Sequence, residues 1–213
     1  MTSLQRESLT LHVLSGAAAQ AIVRAVGEDF RAATGAGVHG TFGAELEREG
    51  RVLPGTSAPL GRVRTGVAVR AAEAMPDIAD GRALRATLLA AEAIYFPDPK
   101  LATASIHFVN VLRQLGIDEI VAPRLRPYPN GATAMRELAT ATGRGLVGCT
   151  QTTEIRYTPG VALVGPLPAE FELATVYTVA VRTGAREPDL ARRFAGLLSG
   201  PATRSRRERA GFE

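Results

Sequence analysis

Hydrophobic positions along the chain alternate between two periods, and the switches between them mark out the elements. Leu9–Leu14 alternates and ends at a glycine turn, which reads as a strand. The helix predicted over Ala17–Ala33 lines up Ala18, Ile22, Val26 and Phe30 on one stripe, and Thr34-Gly-Ala-Gly37 stops it. Val38–Phe42 then reads as a second strand, closing an opening β-α-β unit. Further along, the pattern predicts a short charged helix at Ala44–Arg51, a strand at Gly66–Arg70, a helix at Arg82–Ala91 and a strand at Ala93–Phe96. Phe108, Val111, Leu112 and Leu115 have i, i+3, i+4, i+7 spacing, the clearest amphipathic signal of the chain, and predict a helix over His107–Leu115. Leu125–Tyr128 is strand-like, Pro129-Asn-Gly131 a turn, and Ala132–Thr142 a helix. Gly145–Gly148, Val161–Val164 and Thr175–Val181 read as strands, and Pro188–Leu198 as a closing helix. Strand and helix alternate, so the expected class is α/β with a mostly parallel sheet.

Two strand-to-helix turns stand out. One runs from Leu9–Leu14 through Ser15-Gly16 into the first helix; the other runs from Ala93–Phe96 through Thr103-Ala104-Ser105 into the next. Such turns aim backbone N–H groups at a point where an anion can sit.

Composition narrows the alternatives. With 213 residues, 46% apolar and 22% charged, the chain can bury a sizeable core. The formal charge of +4 and pI near 9.8 raise nucleic acid as a partner, but the arginines are scattered and aromatics reach only 5%, so no nucleic-acid partner is expected. Only Arg204, Arg206, Arg207 and Arg209 cluster, and they read as a solvated helix end. Lone Cys149 excludes an internal disulfide and reads as a small buried residue. Three dispersed histidines argue against a metal site, and Gly35-Ala-Gly37 follows a helix instead of opening one, against dinucleotide binding. No cofactor is expected. The first residues show no basic stretch followed by an apolar one, and no apolar run is long enough to span a bilayer. The expected location is therefore cytoplasmic, with no membrane segment and no transporter permease as partner.

The stretches Val13-Leu-Ser-Gly-Ala-Ala18, Gly40-Thr-Phe-Gly43, Gly50-Arg-Val-Leu-Pro-Gly55, Gly66-Val-Ala-Val-Arg70, Pro76-Asp-Ile78, Asp98-Pro99, Ser105-Ile-His107, Leu163-Val-Gly-Pro-Leu-Pro168 and Thr175-Val-Tyr177 occur in order along most of the chain. Together they resemble the molybdate-binding branch of the type II periplasmic solute-binding proteins. The resemblance implies a two-lobed α/β fold, lobe one from residues 1–70 plus 176–213 and lobe two from 71–175, with Gly66–Arg70 and Thr175–Val181 as hinges. It further implies a small oxyanion or carboxylate clamped between the lobes. By motif position Ser15, Gly16, Thr41, Phe42 and Gly43 would bind it from lobe one, and Thr103, Ser105, Asn130, Gly131, Gln151 and Thr152 from lobe two or the hinge side. The chain departs from the pattern where Thr41-Phe-Gly43 runs straight into Ala44-Glu-Leu-Glu, so a central strand of lobe one is missing.

The sequence also resembles the aconitate isomerases of the same branch, whose 1,3-proton shift needs a base over an acidic C–H. His107, Asp98, Glu154 and His39 are the candidate bases, while His12, within a strand, reads as a hydrogen-bonded core histidine. Each candidate also has a plain structural reading: Asp98 in Pro-Asp-Pro as a turn residue, His107 as a surface residue, Glu154 as solvated. Capture of a small anion leads; an isomerase of unsaturated tricarboxylic acids and a truncated remnant without ligand are the alternatives.

Overall fold

The structure is a computed structural model that describes residues 9–15, 17–42, 52–100 and 102–213. The chain forms two compact units, residues 1–61 with 176–209 and residues 62–175 with 210–213. The predicted helix at Ala44–Arg51 lies outside the described residues.

In the first unit, β1 (Thr10–Ser15) pairs in parallel with β2 (Gly37–Phe42), with Leu11 opposite Val38 and His12 opposite His39. Between them a single 3-10 turn, Ala17–Ala19, leads into α1 (Gln20–Thr34). The apolar stripe of α1 buries Ile22, Val23, Val26 and Phe30, and Gly35 ends the helix at φ 74° with its N–H on the Arg31 carbonyl. That left-handed turn is cheap only for glycine. Late in the chain, α7 (Pro188–Ser199) packs on α1, with the rings of Phe30 and Phe194 edge to face at 5.1 Å.

The basic tail is a structural device, where the sequence suggested a solvated end. In α8 (Arg204–Ala210), the Arg207 guanidinium donates to the carbonyls of Leu198 and Gly200 and to the Thr203 hydroxyl, at 2.7, 2.9 and 2.8 Å. It satisfies carbonyls that the end of α7 leaves without intrahelical donors. Arg206 pairs with Asp29 of α1, and Arg204 with Glu208.

The second unit carries a six-stranded sheet. Its strand order is β5 (Leu125–Tyr128), β4 (Ala93–Pro97), β6 (Leu146–Gln151), β3 (Ala58–Arg70) and β7 (Val161–Pro166), with β8 (Ala174–Val179) also paired to β3. β4 runs parallel to β5 and β6, whereas β3 is antiparallel to both β6 and β7. The sheet is thus mixed, not mostly parallel. The 13-residue β3, of which sequence reading recovered only the glycine-rich end, runs from the first unit into the second against the direction of the parallel strands.

Both sheet faces are covered, which explains why β6 is buried at all six positions and reads as an apolar run without alternation. On one face Val67, Ile94, Phe96, Val147 and Cys149 meet Leu84 and Leu88 of α2 (Gly81–Ala90) and Phe108, Val111 and Leu112 of α3 (Thr103–Gln114). On the other, Ala68, Ala93 and Leu146 meet Ala134, Met135 and Leu138 of α5 (Gly131–Thr140) and Ile155 of α6 (Thr152–Tyr157). Each fully buried Leu or Phe here contributes roughly 1.5–3 kcal/mol. A methyl group on Gly148 of β6 would come within 2.6 Å of the Met135 thioether methyl, so the absence of a side chain lets α5 lie on the strand. A short helix α4 (Asp118–Val121), unmarked in the hydrophobic pattern, follows α3. Cys149 is buried, and burial pushes its thiol well up from the usual range, consistent with an unreactive core residue.

One buried polar atom is left over. The Thr153 hydroxyl on α6 is shielded from solvent and lacks a hydrogen-bond partner. Thr153→Val, which keeps the shape and removes the stranded hydroxyl, is expected to stabilise the protein by about 1 kcal/mol. Urea denaturation of the two proteins measures it.

Candidate functional site

Because β4 lies parallel to both neighbours, the carboxyl ends of β5, β4 and β6 reach the same edge of the sheet, with Pro97 opposite Tyr128. The helices that begin after these strands, α3, α5 and α6, therefore start along that edge. Ligands of open α/β sheets bind outside the carboxyl ends of the strands. Thr103, Ser105, Asn130, Gly131, Gln151 and Thr152 fall there together, although they span nearly 50 residues of chain.

The helix starts differ in how they are finished. α5 is capped: the Asn130 carboxamide oxygen accepts from the Thr133 N–H at 2.9 Å. α2 is capped in the same way by Asp80 at 2.8 Å from the Ala83 N–H. α3 has Ala102 at its cap position and no side-chain cap, and Thr103 at its first position is exposed. The helix begins four residues earlier than its apolar periodicity indicates, because the Ala102 carbonyl already accepts from the N–H groups of Ser105 and Ile106. Ser105 consequently lies inside the first turn, fully buried, with its hydroxyl donating to the carbonyls of Ala102 at 2.8 Å and Asp98 at 3.1 Å.

The start of α5 also holds a carboxyl group of the protein's own. Glu154 of α6 is 6% exposed, and its carboxylate accepts from the Thr150 hydroxyl at 2.5 Å and from the backbone N–H groups of Gln151 and Ala132. Gly131 makes room for it: a methyl group there would sit 2.0 Å from both the Glu154 carboxylate and the Thr150 hydroxyl. Glu154 is therefore buried, not solvated as its polar neighbourhood suggested. Burial pushes its carboxyl above the usual range, and the three hydrogen bonds oppose that shift without cancelling it. Thr150 and the Ala132 N–H are the members of this cluster that sequence reading missed. The signal available was the i, i+4 pair Thr150/Glu154 within the polar run Thr150-Gln-Thr-Thr-Glu154 that follows the apolar strand.

The remaining candidates are committed locally. Nε2 of His107 lies 2.7 Å from the Phe171 carbonyl, which can only accept, so Nε2 carries the proton and Nδ1 is left as the basic position. Asp98 accepts from the Lys100 N–H at 2.8 Å in a turn, and its own N–H donates to the Tyr128 carbonyl at 2.6 Å. Gln151 and Thr152 are both 7% exposed, and the Thr152 hydroxyl lies 3.5 Å from the Gly211 carbonyl.

In the first unit Ser15 is the last residue of β1, and α1 begins with Ala19 at its cap position and no side-chain cap. Thr41 and Phe42 end β2, while Gly16 and Gly43 lie outside the described residues. His12 does not lie in the core. It is exposed, its ring 5.6 Å from that of His39, because β1 turns Leu11 to the buried side and the alternate residues to the other.

These two α/β sheets with their helix starts have the two-sheet architecture of the two-lobed type II periplasmic binding proteins. The profile of the family described as bacterial extracellular solute-binding protein matches residues 40–213, and the chain belongs to that family. Among solved structures it is similar to the periplasmic molybdate-binding protein of Azotobacter vinelandii, at 17% identity over 95% of this chain and 98% of that one, with a TM-score of 0.76. It is also similar to the sulfate-binding protein of Mycobacterium tuberculosis, at 18% identity over 96% and 86% of the two chains, with a TM-score of 0.66. At such identities the likeness is one of fold. An aconitate isomerase from Pseudomonas sp is 26% identical over 159 residues, which are 73% of this chain and 57% of the relative, so the chain spans little more than half the length of that curated relative.

The family overturns the cytoplasmic location expected from the first residues. The family to which the chain belongs is described as extracellular, and the Azotobacter relative is periplasmic. The argument against a permease partner, which rested on that location, falls with it. Among the described residues no helix is long and apolar enough to cross a membrane.

Because the Glu154 carboxyl is raised by burial, its contribution to stability is fully present below its unfolded-state pKa, about 4.5, and is lost as pH rises through the folded-state value. Urea titrations from pH 4 upward should show this fall in the native protein and lack it in Glu154→Gln; an identical slope in both would remove Glu154 as its origin.

Proposed function

We propose that the chain captures a small oxyanion of the molybdate type, or a small carboxylate, on uncapped helix starts. The carrying observation is the contrast between helices of the second unit: α2 and α5 are finished by side-chain caps, whereas α3 and α6 are not. An uncapped start leaves N–H groups and the positive end of the helix dipole for an incoming anion. Exposed Thr103 adds a hydroxyl donor at α3, with Asn130, Gly131, Gln151 and Thr152 along the same edge. In the first unit Ser15, Gly16, Thr41, Phe42 and Gly43 are the proposed counterparts by motif position. Ser105, whose hydroxyl proton is shared between two carbonyls, serves as a buried support for the turn.

A second reading, an isomerase of unsaturated tricarboxylic acids, is favoured by the aconitate isomerase relative. His107 is then the best placed base, through Nδ1, since Asp98 is held in a turn and Glu154 is enclosed.

A thermal-shift panel of molybdate, tungstate, sulfate, citrate and the two aconitates tests the capture reading. A true ligand at a hundred times its Kd stabilises by about 2.7 kcal/mol, and silence across the panel counts against capture. Thr103→Asp sharpens the test: a carboxylate at the first turn of α3 should raise stability by roughly 0.3–1 kcal/mol while weakening anion binding at least tenfold. Binding unchanged in this variant would exclude the α3 start. Ultraviolet-monitored interconversion of cis- and trans-aconitate, abolished in His107→Ala, is the outcome expected of an isomerase.

A further inference from the structure

The first unit carries a pair of side chains that the anion chemistry leaves unused. His12 and His39 occupy directly opposed positions on the parallel strands β1 and β2, both are exposed, and their ring centroids stand 5.6 Å apart with the planes at 60°. The residues flanking His12 on the same side of β1, Thr10 and Leu14, are exposed too, so this face of the pair is open. Leu11 and Val38, by contrast, point to the side on which α1 packs, with Val38 against Gly27.

We infer that His12 and His39 form a two-imidazole site for a borderline divalent transition-metal ion such as Zn2+, on the open face of the β1–β2 pair. The geometry carries the inference. A zinc ion sits about 2.0–2.1 Å from an imidazole nitrogen, which places it roughly 3.2 Å from the ring centroid, so two rings on one tetrahedral ion have centroids about 5–6 Å apart. The observed separation falls in that range without moving either strand. Imidazole suits Zn2+, Cu2+ and Ni2+ and not the hard cations Mg2+ and Ca2+. Opposed positions on paired strands hold both ligands at a fixed spacing, and water supplies the other coordination positions. The consequence is mechanical: the metal ties β1 to β2 across the helix that joins them, in a sheet that has only these two strands among the described residues.

The chain carries its own controls. Its third histidine, His107, has Nε2 on the Phe171 carbonyl, and the single cysteine is buried. Zn2+ titrated calorimetrically into the full chain at neutral pH should bind with one equivalent. His12→Ala and His39→Ala should each weaken that binding at least tenfold, and His107→Ala should leave it unchanged. His12→Gln and His39→Gln, which keep a polar side chain on the same exposed face, should lose as much as the alanine variants, with circular dichroism unaltered. In the wild type one equivalent of Zn2+ should shift both ring signals together in histidine-selective NMR. Absence of binding overturns the assignment, as does binding that survives both substitutions or is lost in only one of them.

Discussion

The placement of β4 between two parallel neighbours is the constraint from which the candidate site follows. Parallel pairing with β5 and β6 puts three strand ends on one edge of the sheet, and the helix after each must begin there. The parallel strands β5, β4 and β6 need cover on both faces, which α2 and α3 supply on one side and α5 and α6 on the other. The same packing that buries Phe96, Phe108 and Leu112 thereby fixes where backbone N–H groups are presented.

That edge is electrostatically uneven. α5 is finished twice, by the Asn130 side chain and by the Glu154 carboxylate seated over Gly131, whereas α3 carries no side-chain cap and exposes Thr103. The protein seats a carboxyl group of its own at one helix start and leaves the next without one. Enclosure raises the cost of keeping Glu154 ionised, and its three donors return part of that cost. Loss of any one donor would leave a buried acceptor poorly satisfied, so the arrangement couples β6, α5 and α6 tightly.

Arginine, which dominates the basic residues, is put to structural use. Arg207 closes the end of α7, Arg124 holds the carbonyls of Leu89 and Ala91, and Arg70 binds the carbonyls of Ala141 and Gly143 while pairing with Glu73. A planar guanidinium with five donors can satisfy several carbonyls at once, which a lysine ammonium does less well.

Local pattern determined most of the elements of this protein. The i, i+3, i+4, i+7 stripe of α3, the glycine stop of α1 and the strand at Leu125–Tyr128 follow from side-chain periodicity and backbone sterics, which neighbours in the chain decide. The motif order was enough to reach the type II solute-binding fold. Tertiary structure decided the rest. Antiparallel β3, the burial of Glu154, the inward hydroxyl of Ser105, the tether on His107 and the exposure of His12 all depend on partners 4 to 86 residues away or on which sheet face a helix covers. Periodicity tells which side of a strand differs from the other; only packing tells which side is covered, and so which polar residues are left to meet a ligand.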